Sequence, residues 1–359
     1  MRLLLPALVA LIPSLVFAGT LARDTIAIAT TPVLIEHMAD GQHLNFDLIV
    51  TNSGDEAIDI DRIELSVFDA EGALVLRRFV DGNGVRPSIG ILGERRIAPG
   101  QRLSVFNPFD TLAAEVPVTT LRYDFELSNA DGSRSLRASI DARARDHRSP
   151  NDYRTPLSDR FINYDGHDAL GHHRRFDVEF APIKAMGFKT NAMRYSYDFV
   201  PVNADGAMFE GDFARNEDWF GFDQPILAIA DGKVVAVAHS NADNRQFDQG
   251  KLAEDKMVLF GNYVVIDHGG GEFGVYAHAR QGSVTAKVGE RVRRGQAIAR
   301  IGASGSAFFP HLHFQLQNGP DLDAEGLPSY FSGFARMLGQ RSIKRSRASI
   351  DTGEIVQAE

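Results

Sequence analysis

Asn262 to Arg280 reads NYVVIDHGGGEFGVYAHAR, two short runs rich in aromatic and β-branched residues parted by three consecutive glycines. Runs of that length and composition suit strands, and glycine lets a chain turn sharply between them. The pattern continues outward on both sides. RYSYDFVPV (194–202) and QPILAIADGKVVAVAHS (224–240) precede it, and GSVTAKVGERVRRGQAIARIGASG (282–305) and PHLHFQLQ (310–317) follow. The expectation is a Gly-rich antiparallel β-sheet domain over residues 161–338.

A different unit precedes it. HLNFDLIVTNSG (43–54), IDRIELSVFDAEGALVLRRFV (60–80) and LRYDFELSNADGSRSLRASI (121–140) alternate apolar and polar residues between turn signals such as Asn52-Ser53-Gly54 and Ala130-Asp131-Gly132. That period of two, broken every ten residues or so by turns, predicts an N-terminal β-sandwich of immunoglobulin or fibronectin type over 24–145. The cysteine and tryptophan markers of true immunoglobulin domains are missing from it. The fold class is therefore all-β, in two domains. Residues 146–160, charged and bearing Pro150 and Pro156, read as a linker, and 339–359 as a polar, frayed tail.

The chain has 359 residues, 44% hydrophobic and 24% charged, enough for about two domains. MRLLLPALVALIPSLVFAGT begins with a basic Arg2 and an apolar stretch that ends in small residues near Ala18, so 1–18 reads as a signal peptide and the protein as periplasmic or secreted. The sequence holds no cysteine, which excludes disulfides, thiolate nucleophiles and thiolate metal ligands. A net charge of −9 argues against nucleic acid as a partner.

PHLHFQLQ carries the chemistry. In a strand, residues i and i+2 share a face, so His311 and His313 stand side by side while Leu312 and Phe314 point the other way. Two adjacent imidazoles suit a metal site or a proton transfer, and equally a pair of half-exposed strand residues. His278 ends the run VYAHAR, and Asp198 is a carboxylate within the apolar strand YSYDF, costly to bury unless paired or holding a metal. Singly, each has a plain structural reading: an aspartate bonded to Arg194, a histidine bonded to a backbone carbonyl. Together, a carboxylate and several imidazoles are the ligand set of a catalytic zinc site, with three protein groups and an open position.

From Tyr195 to Gln317 the chain resembles the lysostaphin/LytM-type zinc metallopeptidases of peptidase family M23. These enzymes cleave peptide bonds in the cross-links and stems of bacterial peptidoglycan. YSYDF, PILAIADGKVVAV, GNYVVIDHGGG, YAH, VGERVRRGQAIARIGASG and PHLHF stand in the family's order and spacing. The resemblance implies one Zn2+ held by Asp198 and His313, with His278 and His311 acting catalytically on the open side of the metal. His268 is common in the family, but its place at the turn gives it a structural reading.

One position departs from the family. Its remaining zinc ligand is a histidine four residues before the aspartate, where this chain has Arg194. An arginine offers only donors and stays protonated, so it cannot ligate zinc and is free to pair with Asp198. GFKTNAMR (187–194) contains no histidine; the nearest upstream are His172 and His173 in GHHRRFD, with His167 behind them. Gln315 stands where many relatives carry glutamate. Two readings follow. One is an exported zinc metalloendopeptidase acting on peptidoglycan stem peptides or cross-links, its ligand set completed by His173 or His172. The other is a degenerate LytM-type module that binds peptidoglycan or regulates a cell-wall amidase. The aromatic loop around Trp219 suits either a substrate groove wall or a packed core.

Overall fold

The computed structural model of the chain describes residues 19–20, 26–169 and 171–358. The expected signal peptide lies outside them. The described residues are almost entirely β, with one short α-helix, Ala181–Ala185. None of their helices is long and apolar enough to cross a membrane.

In the N-terminal half, β1 (Ile26–Thr30), β2 (Asp47–Asn52), β3 (Ile58–Phe68), β4 (Leu74–Asp81), β5 (Arg102–Phe106), β6 (Thr120–Asn129) and β7 (Arg134–Arg143) pair antiparallel in the orders β1-β2-β5 and β7-β6-β3-β4. Alternation sets which side chains meet. Leu121, Tyr123, Phe125 and Leu127 of β6 are fully buried and pack with Ile60, Ile63, Leu65 and Val67 of β3 and with Leu48 and Val50 of β2 in one core. Each contributes about 1.5–3 kcal/mol by leaving water. The one polar atom this places at depth, the Tyr123 hydroxyl, donates to Asn107 Oδ1 at 2.8 Å.

The C-terminal half is built on one large antiparallel sheet. Its strands β8 (Arg160–Asp165), β9 (Tyr197–Pro201), β10 (Gly232–Ala238), β11 (Tyr263–Asp267), β12 (Phe273–Ala277), β13 (Leu312–Gln317), β14 (Phe334–Leu338) and β15 (Ile355–Ala358) lie in the order β10-β11-β12-β13-β9-β8-β15-β14. The stretch 262–280 is the β11–β12 hairpin, with Val264 opposite Tyr276 and Asp267 opposite Phe273. Its three glycines take φ of 80°, 65° and 79°, the left-handed region that side chains avoid.

Both faces of this sheet are covered. Tyr197, Phe199, Tyr276, Leu312, Phe314 and Leu316 share the main core, while Val265, Val275 and Ala277 pack with Phe260 and Met257 on the opposite face. Consequently all six residues of β13 are buried, its histidine and two glutamines included.

Two sequence expectations are corrected here. The described part of 339–359, up to residue 358, is not a frayed tail: Arg341–Arg345 and β15 are sheet strands, and Ile350 and Val356 lie in the main core. A few apolar side chains anchor the segment although its composition is polar. Residues 146–160 are likewise no free linker. Tyr153 and Leu157 enter the same core, and the buried Glu272 carboxylate accepts hydrogen bonds from Ser149, Asn151 and Tyr153. The loop around Trp219 is packed, its indole stacked on Phe309 with centroids 4.6 Å apart.

Candidate metal centre

β13 lies between β9 and β12, with His313 opposite Asp198 on one side and Ala277 on the other. The period of two sends Tyr197, Phe199, Leu312 and Phe314 into the main core and so turns Asp198 and His313 to the other face. There Asp198 Oδ1 lies 3.0 Å from His313 Nδ1, and 3.4 Å from both His311 Nε2 and His173 Nε2. His278 follows the end of β12, its ring centroid 4.8 Å from that of His311. Every one of these five residues is at most 7% exposed.

The outer nitrogens fix which atoms face inward. Nδ1 of His173, His311 and His278 donates to the carbonyls of Gly166, Phe309 and Ser304 at 3.1, 2.7 and 2.8 Å. For His313 the assignment runs through two glutamines. Gln317 Nε2 donates to the carbonyls of Gly319 and Asp321, so Gln317 Oε1 must accept from Gln315 Nε2. That turns Gln315 Oε1 toward His313 Nε2, 2.8 Å away, which therefore carries the proton. Each neutral ring is left with a lone pair on its inner nitrogen, three of them directed at a single carboxylate oxygen. Acceptors facing an acceptor in a buried site repel unless a cation or added protons lie between them. His173, Asp198 and His313 offer one ligand atom each, all within 4.8 Å of one another, and this buried set of two imidazoles and a carboxylate fits a divalent metal of zinc type.

The electrostatics agree. Burial alone would raise the Asp198 carboxyl, but positive charge and donated protons on His173 and His311 outweigh it and hold the group well below the usual carboxylate range, so the carboxylate calls for a cation at the inner nitrogens, protons or a metal. Burial, reinforced by His311 and His313, pushes His278 well below an ordinary histidine. His278 also has φ of 60°, a conformation that costs a side-chain-bearing residue about 1–3 kcal/mol and recurs at functional sites. Hydrogen bonds from its N–H to the Phe260 carbonyl and to its own carbonyl from the Gly302 N–H hold it there, both 3.0 Å long.

The two upstream histidines separate. His173 enters the buried group, whereas His172 has its ring more than half exposed and pairs with Asp165 at the rim. With His173, these two form another grouping of metal-ligand type, half open to solvent. His167 turns away, bonded to Glu36 of the N-terminal half at 2.9 and 3.0 Å. His268 donates from Nδ1 to the Asp231 carbonyl, bracing the hairpin turn.

Arg194 does not pair with Asp198, as the sequence led us to expect. Its guanidinium binds Asp47 on β2 at 2.8 Å, and Asn45 Nδ2 donates to its carbonyl at the same distance. The N-terminal half thus draws the whole residue away from the metal site. The Gly166 carbonyl, which orients the His173 ring, escapes sequence reasoning, whereas Gln315, which orients His313, is marked there as a glutamine where relatives carry glutamate.

Residues 218–324 match the family described as peptidase family M23. The chain is 43% identical over 96 residues to peptidoglycan DD-endopeptidase ShyC of Vibrio cholerae, covering 26% of this chain and 18% of that protein. It is 32% identical over 123 residues to lysostaphin of Staphylococcus simulans, covering 34% and 20%. It is also 32% identical over 92 residues to the murein hydrolase activator EnvC of Escherichia coli, covering 26% and 17%. The chain thus spans a fifth or less of each of these relatives. Asp198 and His173 lie ahead of the matched stretch, and residues 218–324, with His278, His311 and His313, are a domain of peptidase family M23 of the LytM/lysostaphin type.

Proposed function

We propose that this protein is an exported zinc metalloendopeptidase that cleaves peptide bonds in the stem peptides or cross-links of bacterial peptidoglycan. In this reading His173, Asp198 and His313 hold the metal. The observation that carries it is the donor set: inner lone pairs of His173 and His313 converge on Asp198, each ring oriented from behind by a hydrogen-bond acceptor. Zinc held there supplies Lewis-acid polarisation of the scissile carbonyl and ionisation of water near neutral pH. His278 and His311, anchored through Nδ1, present Nε2 to the reacting groups. One takes the proton of the attacking water on its Nε2 and passes it to the leaving amine, and the other stabilises the developing oxyanion when its Nε2 carries a proton. Peptidoglycan as substrate, and the cell envelope as location, are inferred from what ShyC is named for and from the signal-like start of the sequence.

The second reading, a non-cleaving module that binds peptidoglycan or regulates a cell-wall amidase, is favoured by Arg194 at the family's ligand position and by the similarity to EnvC. Metal content and hydrolysis separate the two. The purified full chain is expected to hold one zinc and to release new amino groups from peptidoglycan, and His173→Ala and His313→Ala are each expected to lose both properties. A chain that takes up no zinc from excess metal and releases no amine refutes the enzyme and leaves the binding module.

A further inference from the structure

Asp198 and His313 are fixed by the ladder of a central sheet, but His173 sits on no regular element. It lies in the segment described as residues 166–169 and 171–174, between β8 and the short helix. Part of what holds that segment in place comes from the other half of the molecule. Arg174, directly after His173 and only 4% exposed, donates from Nη2 to the Asn107 carbonyl at 2.9 Å and lies 3.1 Å by Nη1 from Asp110 Oδ2. At the other end, His167 is bonded to Glu36, and its carbonyl accepts from Asn45. Gly166, next to His167, supplies the carbonyl that orients the His173 ring. Within its own half the segment is tied by Asn191, whose Nδ2 donates to the His173 carbonyl at 2.9 Å, by the Ser196 carbonyl, which accepts from His167 Nδ1 at 3.2 Å, and by the Thr352 hydroxyl, which accepts from the Gly166 N–H at 3.0 Å. Asn191 in turn accepts from the N–H of Arg194, the residue clamped to Asp47.

We infer that the N-terminal half is a working part of the metal centre: through Asp110 and Asn107 on Arg174, and Glu36 on His167, it holds the segment from which His173 reaches Asp198 and His313. Arg174 and Asp110 are positioning residues, since neither touches the site. A guanidinium fork on a carbonyl and a carboxylate fixes direction as well as distance, which a surface ion pair does not. Arg194 belongs to the same clamp; at the position where the family carries a ligand, this chain carries a bolt between its halves. The inference rests on the metal reading proposed above.

The test uses the purified full chain, zinc as the probe, competition with a chromophoric chelator for affinity, the visible spectrum of the Co2+-loaded protein for ligand geometry, and thermal melting for folding. Asp110→Asn keeps the shape and removes the charge, while Arg174→Lys keeps the charge and removes the fork. Both are expected to melt cooperatively, to bind zinc about 10–100-fold more weakly, as loss of an outer-shell partner does, and to alter the Co2+ spectrum. His173→Ala is expected to weaken zinc by more than either. Folded Asp110→Asn and Arg174→Lys proteins with zinc affinity within twofold of the parent, alongside a metal-deficient His173→Ala, would overturn the clamp and leave the metal site standing. Zinc retained undiminished by His173→Ala would instead overturn the ligand assignment beneath it.

Discussion

β7 and β13 are both strands in which alternate residues are polar, and they come to opposite ends. Along β7, Leu136 and Ala142 face the core while Arg137, Ser139 and Asp141 face water. Along β13, Leu312, Phe314 and Leu316 face the core, but the other row, His313, Gln315 and Gln317, is buried too. Phe260 and His173 close over it, with ring centroids 5.2 and 4.9 Å from that of His313. The difference teaches that a period of two specifies a strand and its inward face, while the fate of the polar row is decided by what the rest of the chain lays over it. Covered, that row must satisfy every donor and acceptor internally, and satisfied polar rows in dry surroundings are where side chains are held in fixed orientation.

The largest effect sharpening this comparison belongs to the apolar row. Phe314 is fully buried among Tyr197, Tyr276 and Phe331. Phe314→Ala is expected to cost about 3–5 kcal/mol in chemical denaturation, the range for removing a core phenylalanine. A loss under 1 kcal/mol would mean that the sheet is not packed on this face as described.

Gln315 probes the covered polar row. Gln315→Leu preserves bulk but removes the acceptor that sets the His313 tautomer and strands Gln317 Oε1. Zinc affinity is expected to fall about 10–100-fold, equivalent to about 1.4–2.8 kcal/mol. Unchanged affinity would show that His313 orients itself without the glutamine pair.

How far all this was legible in the sequence follows the same line. Strand residues spoke clearly: alternation gave the two β regions, and Asp198, His278, His311 and His313 could be named because each lies on or just beyond a periodic run. The structure brings these four together. What periodicity cannot reach is a contact made by an irregular segment. His173 and His172 are equivalent in sequence, and contacts outside the pattern set which ring turns inward: the Gly166 carbonyl, Asn191 and the anchoring of Arg174 for His173, and Asp165 for His172. The partner of Arg194 was hidden for the same reason, since Asp47 lies in the other half of the chain. The segment from Arg341 to Ala358 misled through composition, because its few apolar side chains, Ile350 and Val356 in the core with Ala348 and Ala358 packed against it, stand in a polar stretch, and a few are enough where a sheet edge waits to pair.

The contact between the halves gives a smaller, pH-dependent effect. Burial lowers the proton affinity of His167, but the Glu36 carboxylate and its hydrogen bond outweigh burial and raise the pKa above an ordinary histidine. A raised pKa in the folded state means that the protonated pair stabilises the fold fully below about pH 6.5, the unfolded value. That stabilisation is lost as pH rises through the folded value. A hydrogen bond between charged partners is worth about 1.5–3 kcal/mol, and deprotonation leaves part of it in place. The stability difference between the parent and Glu36→Gln, followed by denaturation from pH 6 to 9, is expected to narrow by about 1 kcal/mol. A difference that widens with pH would reverse the sign assigned to this pair.

The smallest effect is expected at the exposed counterpart of Gln315. Arg137 occupies the outward row of β7 and binds Glu126 of β6 at 2.8 Å, with side chains 81% and 44% exposed. In distance that contact equals the one between Gln315 and His313. Water competes for both partners, the long arginine chain loses rotamer freedom in meeting the glutamate, and salt screens what attraction remains. Arg137→Ala is therefore expected to change stability by less than about 0.5 kcal/mol and to leave zinc affinity unaltered. A cost above 1 kcal/mol would break the comparison, because polar contacts of equal length would then count equally on covered and uncovered faces. A negligible cost, set beside a hundredfold loss of zinc in Gln315→Leu, would locate the value of the glutamine contact in its enclosure.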